Sequence, residues 1–294
     1  MSRPPFPTPY AGAYYPIYGH SKNEYLEPTD STPFDKVSAL FFAFAHAYPL
    51  LMNDPGSDLR KGALLDFERG QPEEPDRVRK VMDFARRKNP GILFIISLGW
   101  GHDDWTYISS DYTSGRNNFP ASVVSFVREH QFDGFDIDDE SIGNDPEKCY
   151  ASSGCITQES FNGVIARIRT GLDEASSADC KPYYLTITPA FGTQHVTKEN
   201  HAQFDLINPQ SYADGTGTEL FTKLGASEKQ ISWGIDSERS RVNYPSPKDY
   251  QDLAGIFDWS MSADSNRELA FEYTNRIARD VGYRFPAAAG RGDS

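Results

Sequence analysis

The sequence predicts an α/β fold, a single (β/α)8 barrel, and three observations carry that expectation. Eight short apolar or β-branched runs alternate with longer amphipathic stretches along 294 residues. Several of these runs are continuously apolar, as strands covered on both faces are, which points to a parallel sheet. The first run continues into Tyr14-Tyr15-Pro16-Ile17-Tyr18-Gly19, not into the glycine-rich phosphate loop of a doubly wound open sheet. A chain of this length could hold two domains, but barrels of about 250 residues fold as one.

Residues 12–18 open the series. The second run, 37–45, contains Ala39-Leu40-Phe41-Phe42-Ala43-Phe44, and the third, 92–98, contains Ile92-Leu93-Phe94-Ile95-Ile96. Neither leaves a polar face, so Phe41, Phe42 and Phe94 are expected in the core. Between them, 76–88 set Val78, Val81, Met82 and Ala85 on one helical face, with Arg and Lys on the other. The stretch 122–129 reads the same way and leads to the fourth run, 134–138. A helix over 160–175 follows, with Phe161, Val164, Ile165, Ile168 and Leu172 in its stripe and a start near Gln158 that lacks a clean cap. Runs 183–188, 206–210, 230–235 and 255–260 complete the eight. A last helix, 268–280, carries Leu269, Tyr273 and Ile277. About 20 residues separate the seventh run from the eighth, room for a loop and a helix but not for an inserted α+β domain. The expected organisation is one barrel domain over 1–294, with about 1–9 and 286–294 as flexible tails.

Lys and Arg total 29 and Asp and Glu 42, a formal charge of −13. That balance excludes a nucleic-acid partner, which needs a basic stripe to displace counterions, and disfavours an anionic membrane surface. No run approaches the roughly 18 apolar residues of a membrane span, and no apolar leader is legible at the amino terminus. Three cysteines cannot all pair internally; Cys149 and Cys155 could close a small loop in an oxidising compartment or stand as separate thiols. Neither offers the spacing of a structural zinc site. The terminal Arg291-Gly292-Asp293 reads as chance on a Gly/Ala-rich tail.

One run stands apart: Phe132-Asp133-Gly134-Phe135-Asp136-Ile137-Asp138-Asp139-Glu140. Strand side chains alternate, so Phe135 and Ile137 face the covering helices while Asp136, Asp138 and Glu140 share the inward face, roughly 7 Å apart along the strand. Three acids in file cannot all ionise cheaply, and burial with mutual repulsion raises at least one pKa into the range of a general acid. Glu140, the outermost, sits at the carboxyl end of a strand, where barrels build their sites. As a calcium loop, Asp136, Asp138, Glu140 and Glu147 would fill positions 1, 3, 5 and 12, but Ser141 takes the place of the obligatory glycine and a strand precedes it. The other strand ends offer Trp100, Ala190, Tyr212 and Trp259, which is no cage of acids for magnesium. No metal and no cofactor is expected.

The run from Asp133 to Glu140 resembles the DGxDxDxE signature of family 18 glycoside hydrolases, which include chitinases and endo-β-N-acetylglucosaminidases. Phe41-Phe42-Ala43-Phe44-Ala45 resembles the family's second strand. Phe204-Asp205-Leu206-Ile207-Asn208-Pro209-Gln210-Ser211-Tyr212 resembles its sixth and Gly255-Ile256-Phe257-Asp258-Trp259-Ser260 its eighth. The resemblance implies hydrolysis of β-1,4-linked N-acetylglucosamine with retention, Glu140 acting as acid and then base. It makes the substrate's own acetamido carbonyl the nucleophile, an exception to the two-carboxylate scheme. Asp138 would orient the acetamide, with Asp136 behind it sharing a proton. Tyr212 would hydrogen-bond the acetamide oxygen and Gln210 the same sugar. Trp259 would floor the ring, with Phe44 and Trp100 as further sugar-binding residues. The implied partner is an oligo- or polysaccharide containing N-acetylglucosamine, the implied state a monomer, and the substrate class favours an extracellular setting.

Two departures bear on specificity more than on hydrolysis. Ser97-Leu98-Gly99-Trp100 carries Trp where the family's SxGG has its second Gly, and Ala213 follows Tyr212 where chitinases have Asp or Asn. The alternatives are a glycan-binding lectin on the same barrel that has lost turnover, and a barrel recruited to other acid-base chemistry. The presence of both Glu140 and Asp138 speaks against the lectin.

Overall fold

The computed structural model describes residues 3–50, 62–99, 103–140, 155–212 and 217–285. Eight parallel strands form the barrel: β1 (Tyr10–Pro16), β2 (Ala39–Pro49), β4 (Leu93–Leu98), β5 (Gly134–Asp139), β6 (Tyr184–Pro189), β7 (Leu206–Ile207), β8 (Ser232–Asp236) and β9 (Gly255–Trp259). They are ordered β7-β6-β5-β4-β2-β1-β9-β8. The ring closes at one parallel bridge, Ile207 to Ile231. Each of the eight expected runs becomes a strand.

Side-chain parity divides the strands into two cores. Tyr14, Phe41, Ile95, Tyr184, Leu206 and Phe257 point into the barrel. Leu40, Phe42, Phe94, Ile96, Phe135 and Ile137 point outward into the layer beneath the helices. Phe41, Phe42 and Phe94 are fully buried as expected, each burial contributing roughly 2–3 kcal/mol. Within the stretch expected as an amino-terminal tail, Phe6 is buried in the barrel floor, its ring 4.9 Å from Tyr184, and Arg3 pairs with Asp205 at 2.8 Å.

Helix α1 (Glu74–Lys88) buries Val78, Val81, Met82 and Ala85, and Arg86, Arg87 and Lys88 in its last turn complement the helix dipole. Helix α3 (Asn118–Glu129) begins four residues before its expected start, because the Asp111 carboxylate accepts the backbone N–H groups of Asn118 and Phe119. Helix α4 (Gln158–Asp179) is capped by Thr157, whose hydroxyl accepts the Ser160 N–H at 3.2 Å.

The last helix, α8 (Glu272–Val281), starts later than expected. Asp264 accepts the N–H groups of Tyr273 and Thr274 at 3.0 and 2.7 Å and so fixes the first turn there. Leu269, expected on its apolar stripe, instead lies before the helix, 68% exposed. The sixth run shortens to two residues as β7. Pro209 has no N–H to donate, yet Asn208 and Gln210 still bond back to β6, through Ile187 O at 2.7 Å and Pro189 O at 2.9 Å.

Some elements were not anticipated, a strand and a helix near the barrel's mouth among them. Strand β3 (Ala63–Asp66) pairs antiparallel with the end of β2, and helix α2 (Asp104–Thr113) buries Trp105 and Ile108. The β8–β9 connection, described throughout, holds only the four-residue helix α6 (Pro247–Tyr250) and no inserted domain. Cys155 is disulfide-bonded and Cys180 is a free thiol. Cys149, Glu147 and the Arg-Gly-Asp tail lie outside the described residues.

Candidate active site

The end of β5 carries the file of acids on its inward face. Asp136, the deepest, is fully buried and receives hydroxyls from three strands. Tyr14 on β1 donates at 2.8 Å, Ser97 on β4 at 2.7 Å and Thr186 on β6 at 2.5 Å. Burial pushes its pKa up, and these hydroxyls partly counter it.

Asp138 and Glu140 are joined by one amide. Nε2 of Gln210 donates to Asp138 Oδ1 at 2.9 Å and to Glu140 Oε1 at 3.1 Å. Burial raises the Asp138 pKa well above the ordinary carboxylate range, and the charges of Glu140, Asp136 and Asp139 raise it further, against the Gln210 bond. Glu140 is likewise raised, first by burial and then by Asp139, with Gln210 again opposing. Two carboxyl groups this close hold a proton between them to higher pH than either would alone. Asp138 is turned toward Gln210, while Asp136 is satisfied by hydroxyls.

Gly99 explains how Asp138 fits. A Cβ at this position would sit 2.8 Å from the Asp138 Cβ, and its φ of +155° is one that side chains rarely adopt. The glycine of the Ser97-Leu98-Gly99 segment thus makes room for the acid strand.

The acids open into a cavity of about 230 Å³, lined among others by Tyr14, Tyr18, Phe44, Tyr212 and Trp259. Below the roughly 300 Å³ of a typical drug-sized pocket, it suits one small ring, not a long buried ligand. Phe44 stacks on Trp259 with centroids 5.8 Å apart, and Tyr18 on Phe44 at 6.2 Å, an aromatic row along one wall. Burial, then the charges of Asp138 and Asp236, keep the Tyr212 phenol protonated far above neutrality, so it serves as a donor. A larger groove, about 670 Å³, runs between α3 and α4 past Arg128, Arg167 and Glu174, but it brings no pair of acids together.

The structure therefore gathers Glu140, Asp138, Asp136, Gln210, Tyr212, Trp259 and Phe44 at one end of the barrel. Trp100 lies outside the described residues. Sequence reasoning missed Tyr14, Tyr18, Thr188, Asp236 and Glu238, which also line the cavity. Strand parity alone would have placed Thr188, two residues beyond Thr186, on the inward face. Among the described residues no cluster of His, Cys, Asp and Glu is arranged to hold a metal ion.

Comparison with known proteins bears on the family and the fold. The model of glycosyl hydrolases family 18 matches residues 12–247. A curated relative, chitinase A1 of Niallia circulans, is 27% identical over 186 residues, 58% of this chain. The match spans only 24% of that relative's length. Among solved structures, a class V chitinase from Nicotiana tobaccum superposes with a TM-score of 0.66 at 14% identity, covering 92% of this chain and 98% of the other. A family 18 N-acetylglucosaminidase from Paenibacillus barengoltzii gives 0.65 at 15% identity, covering 92% and 99%. At such identities the superpositions establish the shared barrel fold.

Proposed function

The chain belongs to glycoside hydrolase family 18, and from that premise we propose that it is a retaining endo-hydrolase of β-1,4-linked N-acetylglucosamine, acting on chitin-type oligomers. The observation that carries this reading is the Gln210 amide bridging Asp138 and Glu140 within the aromatic-walled cavity. It fixes the two carboxyls side by side, one placed to donate a proton and the other able to turn to the substrate.

In this mechanism Glu140 donates its proton to the glycosidic oxygen as the C1–O bond breaks. The acetamido carbonyl oxygen of the same sugar attacks C1, giving an oxazolinium ion. Asp138 accepts a hydrogen bond from the acetamide N–H and balances its growing positive charge. Tyr212 donates to the acetamide oxygen, and Trp259 supports the ring's apolar face. Glu140, now a carboxylate, takes a proton from water, whose oxygen opens the oxazolinium at C1. The configuration is retained and Glu140 is again protonated. No step requires a metal or cofactor. The short β8–β9 connection adds no inserted domain beside the cavity, which supports cleavage within a chain by a single barrel domain.

Product analysis on chitin oligosaccharides, beside a high-mannose glycoprotein, tests the proposal. Glu140→Gln should lose at least about 100-fold in kcat. Activity within a few-fold of wild type would refute the mechanism. Release of the glycan instead of chitin fragments would move the substrate to the chitobiose core. Binding without cleavage by the wild type would make the protein a lectin.

A further inference from the structure

A second pair of titratable groups lies directly behind the acids, unused by the reaction above. Period-two alternation turns Phe135, Ile137 and Asp139 outward from β5. The first two meet apolar side chains, but Asp139 puts a carboxylate, with no exposure, into the same layer. Its oxygens lie 3.0 and 3.2 Å from Nδ1 of His195, and it accepts the His195 backbone N–H at 3.3 Å. His195 is 1% exposed and stacks on Phe161 of α4, centroids 4.5 Å apart, with Trp105 of α2 at 6.2 Å. Its carbonyl accepts the side-chain amides of Gln158 and Asn200 at 2.9 and 2.7 Å. The Ala190 N–H donates to the Asp139 carbonyl at 3.0 Å. The loop after β6, the first turn of α4 and the last residue of β5 are thus tied together one peptide away from Glu140.

An ion pair this deep is a weak source of stability, since apolar side chains of the same volume avoid its desolvation cost. We propose that Asp139 and His195 are positioning residues for the proton donor. The Asp139 carboxylate sets a negative field behind the Asp138–Glu140 couple, the His195 imidazolium offsets it, and their contact fixes the strand end from which Glu140 projects. This rests on Glu140 being the acid, as proposed above.

The electrostatics agree with the geometry. After burial, the charge of Asp139 is among the causes that raise both Asp138 and Glu140. Burial opposes the charged form of His195, but its contacts with Asp139, together with a hydrogen bond to the Ile156 backbone, outweigh that and hold its pKa above the ordinary value. Among the described residues packed on the pair, α2 contributes Trp105, α4 contributes Gln158 and Phe161, and the loop contributes Asn200, none of which titrates. On β5 the neighbouring titratable groups are Asp138 and Glu140, which lie on the opposite face of the strand.

Two near-isosteric variants separate this role from a structural one. Asp139→Asn removes the negative field, so the alkaline midpoint of kcat/KM on a chitin oligosaccharide moves down. His195→Gln removes the countercharge, so the midpoint moves up. Each shift is on the order of half a pH unit, and kcat falls on the order of tenfold with little change in KM. A merely structural pair lowers the melting temperature in both variants and moves neither midpoint; that result, or shifts of the same sign, overturns the proposal. The carboxyl ¹³C resonance of Glu140 reads the same shifts without turnover, so the proposal stays testable if the substrate assignment fails. Should the variants not fold, the wild type suffices. The Glu140 resonance must then show an inflection at the midpoint at which the His195 ring resonance itself titrates, apart from that of Asp138, and its absence overturns the proposal.

Discussion

Replacing Gln210 by Met removes a donor and keeps the length of the side chain, which isolates what the amide does. One nitrogen bonds both Asp138 and Glu140, at 2.9 and 3.1 Å, and its bond lowers the pKa of each against burial. A hydrogen bond to a charged group contributes about 1.5–3 kcal/mol and one pKa unit is about 1.4 kcal/mol, so a bond shared between two carboxylates is worth about one pH unit. The sign follows from the form stabilised. The amide favours the ionised carboxylates, so without it the couple holds its proton more tightly. The alkaline midpoint of kcat/KM should therefore rise by about one pH unit in Gln210→Met. Asp138 also loses the contact that sets its rotamer, so kcat at the optimum should fall on the order of tenfold or more. Initial rates on a soluble chitin oligosaccharide across the accessible pH range measure both. An unmoved midpoint together with a kcat near wild type would show that the amide does not act on the acids, and the reasoning would fail.

Two other outcomes follow from named contacts. Trp259 lines the cavity and stacks on Phe44; Trp259→Ala should raise KM on the order of tenfold and cost about 2 kcal/mol of stability, with Trp259→Phe restoring most of both. Steady-state kinetics and thermal melts decide it, and an unchanged KM would remove Trp259 from the sugar site. Glu74, buried at the start of α1, is pushed by burial to about 7. A carboxyl raised in the folded state stabilises below its unfolded pKa, about 4.5, and loses that contribution as pH rises through about 7. Glu74→Gln should thus gain on the order of 2 kcal/mol relative to wild type above that range and little below it. An equal difference in melting temperature at both ends of the range would contradict it.

The barrel was legible because its strands are written in a period-two code that burial on both faces makes nearly continuous, as in residues 92–96. The file Asp136, Asp138, Glu140 followed from the same parity, and the structure sets it on the inward face with Asp138 and Glu140 bonded to one amide. What escaped depends on contacts distant in sequence. The hydroxyl of Tyr14 becomes a partner of Asp136 only when the ring closes and brings together residues 122 apart in the chain. The start of α8 is set by Asp264, and no pattern within the helix itself encodes that cap. Asp139 looked like one more acid in a charged run; its parity sent it outward, and only the fold supplies His195 to meet it.

The closure of the barrel is unequal around its circumference. β5 is gripped by ladders on both sides, from β4 and from β6. Among the described residues, the segment that follows β7 pairs its backbone with β6 only. Across its other edge stand one bridge, a Ser232–Asn208 side-chain bond at 2.6 Å, and the packing of Gly234, where a Cβ would sit 2.8 Å from the Pro209 carbonyl. The cylinder is in effect slit along this line, with the wall bearing Gln210 and Tyr212 hinged at β6. Backbone amides along the slit should exchange with solvent before those of β5. Any outward movement of that wall would stretch the Gln210 bonds to Asp138 and Glu140 while the ladders that hold β5 stay whole.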